Sequence, residues 1–136
     1  PLLSPETSQR TAELRTHRAD RFRKGKQSQN GPERLSCHFH DTRAMGLANV
    51  YAAVESGICK FDASIGGLGG CPFAPGASGN VATEDVVMML QQMGFDTGID
   101  LAGLMRASAL AQELTGTAPG GRSKAWLERQ LAKKNL

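Results

Sequence analysis

The sequence has 136 residues, 40% of them hydrophobic and 21% charged, enough to bury one core but not two. No apolar run approaches the roughly 18 residues of a membrane span, and the N-terminus lacks the apolar stretch of a secretory signal, so the sequence reads as cytoplasmic with no membrane partner. The net charge of +3 is unevenly placed: residues 1–34 hold eight Lys/Arg against four Asp/Glu, and residues 35–136 hold eight against nine, which leaves the main body no electrostatic footprint for nucleic acid.

The boundary falls near Gly31-Pro32. Residues 1–34 form a basic leader rich in Arg, Lys, Gln, Ser and Thr, with few apolar residues and no clear period, and the expectation there is a poorly ordered tail. From residue 35 the chain alternates strand-like and helix-like segments. Residues 35–40 are compatible with a strand, after which Asp41 or Thr42 caps a helix to about Ser56, with Leu47, Val50, Tyr51 and Val54 as its apolar stripe and Gly57 as its stop. Residues 58–65 alternate, placing Phe61, Ala63 and Ile65 on one face and Lys60, Asp62 and Ser64 on the other.

A loop over residues 66–80 holds six glycines and two prolines. Thr83 is expected to cap the next helix, with Glu84 and Asp85 as first-turn charges favoured by the helix dipole. Val86, Met89, Leu90 and Met93 form its stripe, and Gly94 ends it. Residues 95–99 read as a third short strand. A helix follows from Asp100 to about Leu114, then a Pro119-Gly120-Gly121 turn and a last amphipathic helix over 123–134, with Trp126 as a packing residue. Strands alternating with helices of this length indicate βα units and a parallel sheet.

Two constellations carry chemistry. In His38-Phe39-His40-Asp41 the two imidazoles lie two residues apart, so on a strand both point to one face and can reach one ion. Two histidines in an apolar strand are as readily hydrogen-bonded core residues; the end of a strand, where parallel α/β folds build their sites, favours a ligand pair. The second is GGLGGCPFAPGASGN, residues 66–80, which lies between a strand and a helix but matches neither GxGxxG nor GxxxxGK[ST]. It presents Cys71 among glycines, either as a reactive thiol or as an idle one in a surface loop. Asn80 is a turn or cap residue or a partner of Cys71. Asp62 and Ser64 either line a site or satisfy each other. Cys37 and Cys59 read as free thiols, and His17 as a solvated side chain of the leader.

Taken together, His38-Phe39-His40-Asp41-Thr42, the loop with Cys71 thirty-one residues after His40, and the helix start Ala82-Thr83-Glu84-Asp85 resemble hydroxymethylglutaryl-CoA lyase over residues 35–136. Isopropylmalate and homocitrate synthases share an HxH strand, but their loop resembles GxGERAGN and lacks the GGCP segment. The resemblance implies an α/β fold, part of a (β/α)8 TIM barrel, with about the last three of its eight βα units and C-terminal helices. It implies an acyl-CoA substrate, 3-hydroxy-3-methylglutaryl-CoA, cleaved to acetyl-CoA and acetoacetate with magnesium or manganese. Its metal ligands would be His38, His40 and Asn80, and its catalytic residues Cys71 and His38, the thiol serving in proton transfer. The family's Arg–Asp pair on its first strand and its early glutamate have no counterpart here. The resemblance therefore implies an activity completed by further barrel units, with a homo-oligomer or a complementing barrel fragment as partner; the alternative is a non-catalytic barrel remnant acting only through partner association.

Overall fold

The structure, a computed structural model, describes residues 34–70, 79–117 and 121–134, so the basic leader lies outside the described residues except for Arg34. Strand β1 (Cys37–His38) and strand β2 (Phe61–Asp62) pair in parallel, Cys37 opposite Phe61 and His38 opposite Asp62. Helix α1 (Gly46–Glu55) makes the crossover between them. After β2 come a 3-10 turn (Ile65–Gly67) and then helices α2 (Thr83–Gln92), α3 (Leu101–Thr115) and α4 (Lys124–Lys134). This is a βαβ unit extended by three helices, an α/β arrangement of the kind expected.

Both ladders are shorter than the alternating patterns over 35–40 and 58–65. Beyond their first pairs, the strand ends bond instead to a returning segment. Asp41 N donates to Gly79 O (2.9 Å), Val81 N to Phe39 O (3.0 Å), Ser64 N to Val81 O (3.2 Å) and Thr83 N to Ser64 O (2.9 Å). Isolated bridges His40–Asn80, antiparallel, and Ser64–Ala82, parallel, mark the same stitch.

The core is most of the apolar face that periodicity outlined; of the stripe expected for α1, Tyr51 alone stays out, at 43% exposed. Val50 and Val54 of α1, Val81 of the returning segment and Val86 of α2 are buried together, with Leu47, Phe61, Ala63, Met89, Leu90 and Met93 packed around them. Four expectations are corrected. Helix α1 begins at Gly46 rather than beside Asp41, because Asp41 reaches across an intervening turn and accepts from Gly46 N through Oδ1 at 2.8 Å. Helix α2 has Ala82, not Thr83, as its cap residue, and Thr83 is already helical. Residues 95–99 are not a strand: Phe95 N closes the end of α2 on Leu90 O, and Asp96 and Thr97 side chains accept from Gly98 N and Ile99 N, so local turns occupy the backbone that a ladder would need. Trp126 is 50% exposed, and the buried position of α4 is its neighbour Leu127.

Asp100 does cap α3, accepting from Ala102 N (3.1 Å) and Gly103 N (2.9 Å). No helix among the described residues is long and apolar enough to cross a membrane. Helix α3 packs on α2 and the 3-10 turn, and α4 on α3, yet Leu110 and Leu114, one turn apart, stay exposed at 53% and 76%. Apolar side chains at this spacing favour association. The chain is therefore expected to elute larger than a monomer, in a concentration-dependent way, in size-exclusion chromatography with light scattering. Leu114→Gln should reduce the association; a concentration-independent monomer would contradict it.

Candidate active site

The carboxyl ends of β1 and β2 gather the chemistry-bearing residues. His38 is the last residue of β1, and Asp62, the last of β2, stands directly opposite it. His38 Nδ1 lies 3.2 Å from Asp62 Oδ2. His40, two residues further on, turns to the same side: its ring meets that of His38 edge to face, with centroids 5.1 Å apart and planes inclined at 68°. The shared face that strand alternation implied is present.

Asn80 is brought in by the stitch. It bridges to His40 across the antiparallel contact and donates from Nδ2 to Leu68 O at 2.8 Å. That bond orients the carboxamide, committing its nitrogen to the loop and leaving the carbonyl oxygen as its other end. A side chain at Gly79 would collide with the Gly69 carbonyl, so only glycine lets the two ends of the intervening loop lie side by side. Cys71 lies outside the described residues. Of the other thiols, Cys37 is half-buried and Cys59 exposed, and both are free.

As donors for a divalent ion, His38, His40 and Asn80 offer two imidazoles and one carboxamide oxygen, a mixed nitrogen and oxygen set that such ions accept. Among the described residues no three His, Cys, Asp or Glu side chains converge on one point. The trio fits a metal in the kind of donors it offers, without a carboxylate of its own.

Next to Asn80 opens a polar cavity of about 320 Å³ whose walls include Asp41, Gly66, Gly67, Asp85 and Arg122. It meets the imidazole face at Asn80, and neither histidine lines it. Beneath it run the two acids that sequence reasoning took for helix-start charges. Glu84 is 0% exposed: its Oε2 accepts from Gly66 N at 2.9 Å, and its Oε1 from Ser108 Oγ and Gly121 N, both at 3.2 Å. Asp85 accepts from Arg122 N (2.7 Å), Ser123 N (2.9 Å) and Ser123 Oγ. One carboxylate thus ties the turn after β2 to α3 and to the turn before α4, and the other holds that same turn just ahead of α4. Their partners lie 18 to 38 residues away, so no local signal could have pointed to them.

A parallel βαβ unit with polar side chains gathered at the carboxyl ends of its strands has its chemistry where α/β barrel enzymes build their sites. A family model described as HMGL-like matches residues 17–111, and the chain belongs to that family. It is 50% identical over 93 residues to a hydroxymethylglutaryl-CoA lyase of Pseudomonas mevalonii, a match that takes in 68% of this chain and 30% of the relative. The crystal structure of the hydroxymethylglutaryl-CoA lyase from Pseudomonas aeruginosa is similar with a TM-score of 0.69 and 40% identity, over 90% of this chain and 38% of that one. A lyase from Acinetobacter baumannii, solved with coenzyme A and 3-methylmalate, is similar with a TM-score of 0.62 and 42% identity, over 83% and 35%. The chain thus spans about a third of the length of these relatives.

Proposed function

We propose that this chain provides the metal-binding strand ends and the cysteine loop of a hydroxymethylglutaryl-CoA lyase, which cleaves 3-hydroxy-3-methylglutaryl-CoA to acetyl-CoA and acetoacetate. The observation that supports this reading best is the meeting of His38, His40 and Asn80 at the carboxyl ends of two parallel strands. These three residues would hold a magnesium or manganese ion. When bound, the ion lowers the pKa of the substrate's tertiary hydroxyl as a Lewis acid.

The remaining steps fall to the protein and substrate. As the hydroxyl gives its proton to a general base of the site, the adjacent carbon–carbon bond breaks: the hydroxyl carbon becomes the ketone of acetoacetate, and the electron pair stays with the thioester fragment as the enolate of acetyl-CoA. The Cys71 thiol gives its proton to that carbon as general acid. The cavity beside Asn80, with Arg122 at its wall, is the space through which an acyl-CoA would approach.

The test is a chimera. The segment of the Pseudomonas mevalonii lyase matched by this chain is exchanged for this chain's residues, and acetoacetate release is followed with Mg²⁺ or Mn²⁺. Retained cleavage supports the reading; a folded chimera with no cleavage would overturn it. The second reading, association without catalysis, draws on the exposed Leu110 and Leu114 of α3. It predicts the same association for the chain but no activity in the chimera.

The chain alone should bind metal weakly, since a hard divalent ion prefers an anionic oxygen that the trio lacks. Calorimetric titration with Mn²⁺ should show affinity weaker than micromolar, and His38→Ala should abolish it. One micromolar site in the unaltered chain would contradict this expectation.

A further inference from the structure

We infer that Asp62 is a positioning residue for His38: it accepts the Nδ1 proton, holds the ring as the Nδ1–H tautomer and leaves Nε2 as the free donor nitrogen. The strand register carries the argument. His38 and Asp62 are Cα partners across the parallel pair, so their side chains leave the sheet on the same face, and Nδ1 and Oδ2 stand 3.2 Å apart. A carboxylate only accepts, so in a hydrogen bond the proton must sit on Nδ1, and a neutral imidazole can carry no second one.

The pair is not there for stability. Its side chains are 46% and 71% exposed, and an ion pair or charged hydrogen bond so open to solvent adds little to folding. What it does supply is orientation. A free histidine side chain in water favours the Nε2–H tautomer, whose Nε2 has no lone pair to offer. Asp62 reverses that preference and fixes the ring about its long axis. Ligating histidines elsewhere are held in this way, by a carboxylate on the far nitrogen. His40 has no such carboxylate among the bonds described, so the two imidazoles are unequal: His38 is the preorganised donor. This inference rests on the proposed function only in naming a metal ion as what Nε2 meets.

The test uses the 136-residue chain, labelled with nitrogen-15 and held at alkaline pH. Long-range nitrogen–proton correlations read the tautomer of the His38 ring, and the broadening of its resonances by Mn²⁺ reads metal affinity. The unaltered chain should show Nδ1–H at His38. Asp62→Ala should shift the ring to Nε2–H and weaken Mn²⁺ binding about 10–100-fold. Asp62→Asn keeps the size of the side chain but can turn its NH₂ toward Nδ1 and support Nε2–H, so it should lose the Nδ1–H tautomer as well, a switch at unchanged size that a purely structural role would not produce. Asp62 is exposed, so neither replacement removes packing, and the amide spectrum reports whether β2 is intact.

An Nε2–H ring in the unaltered chain, or one whose tautomer ignores Asp62→Ala, overturns the inference. An Nδ1–H ring that switches as expected but feels no Mn²⁺ upholds the positioning role and removes the metal reading of the site instead.

Discussion

Glu84→Ala is expected to lower the stability of the chain by about 3 kcal/mol or more, enough to unfold a domain of this size in part. The side chain has no exposure to solvent and receives hydrogen bonds from Gly66 N, Gly121 N and Ser108 Oγ. Truncation leaves these donors without a partner and opens a void, and each unsatisfied buried donor costs about 1–3 kcal/mol. Glu84→Gln keeps the shape and one carbonyl acceptor but must present an NH₂ to at least one N–H or O–H donor, so it should recover only part of the loss. Urea denaturation followed by circular dichroism gives the comparison. A Glu84→Ala chain within about 0.5 kcal/mol of the parent, the range of an ordinary surface change, would contradict the role assigned to this carboxylate. By contrast, Glu128→Ala, on an exposed position of α4, should fall within that range.

Cys71→Ala should lower kcat of the active chimera by about 10²–10⁴, the usual cost of losing a general acid or base. KM and the melting temperature should change little, because the replaced thiol belongs to a glycine-rich segment and the role proposed for it lies in the transition state. Cys37→Ala and Cys59→Ala act as comparisons. Cys37 is half-buried on β1 and Cys59 is exposed, so the first should cost some stability and neither should cost much rate. An unaltered kcat in Cys71→Ala would take the thiol out of the reaction.

The helices and the strand ends show where sequence reading succeeds, and Glu84 shows where it stops. The helices were legible because burial follows a period: Val50 and Val54, then Val86, Met89, Leu90 and Met93, fall every three or four residues and do form the core. The shared face of His38 and His40 was legible for the same kind of reason, since alternation along a strand depends only on backbone geometry.

Glu84 was not legible. In sequence it is one of two acids in a first helical turn, a common place for a charge, and its partners are 18, 24 and 37 residues distant. Asp62 was half legible: alternation put it on the polar face, but only the register of β1 against β2 names His38 as its neighbour. Residues 95–99 misled because Phe and Ile at a spacing of four, with an Asp-Thr-Gly between them, suit a strand and a turn equally; the side chains of Asp96 and Thr97 settle it by bonding to the backbone two residues on. Trp126 misled because size was taken for burial, whereas Leu127 occupies the inward position of α4.

The abutment of Gly69 and Gly79 has a further consequence for how such a protein can change. A Cβ at Gly79 would run into the Gly69 carbonyl, so the two chain segments can pass this close only where one of them has no side chain. The entropy of closing a loop grows only with the logarithm of its length, about 0.6 kcal/mol for each doubling. A change in the length of chain between those glycines therefore costs little closure entropy, whereas any side chain at Gly79 itself would break the join.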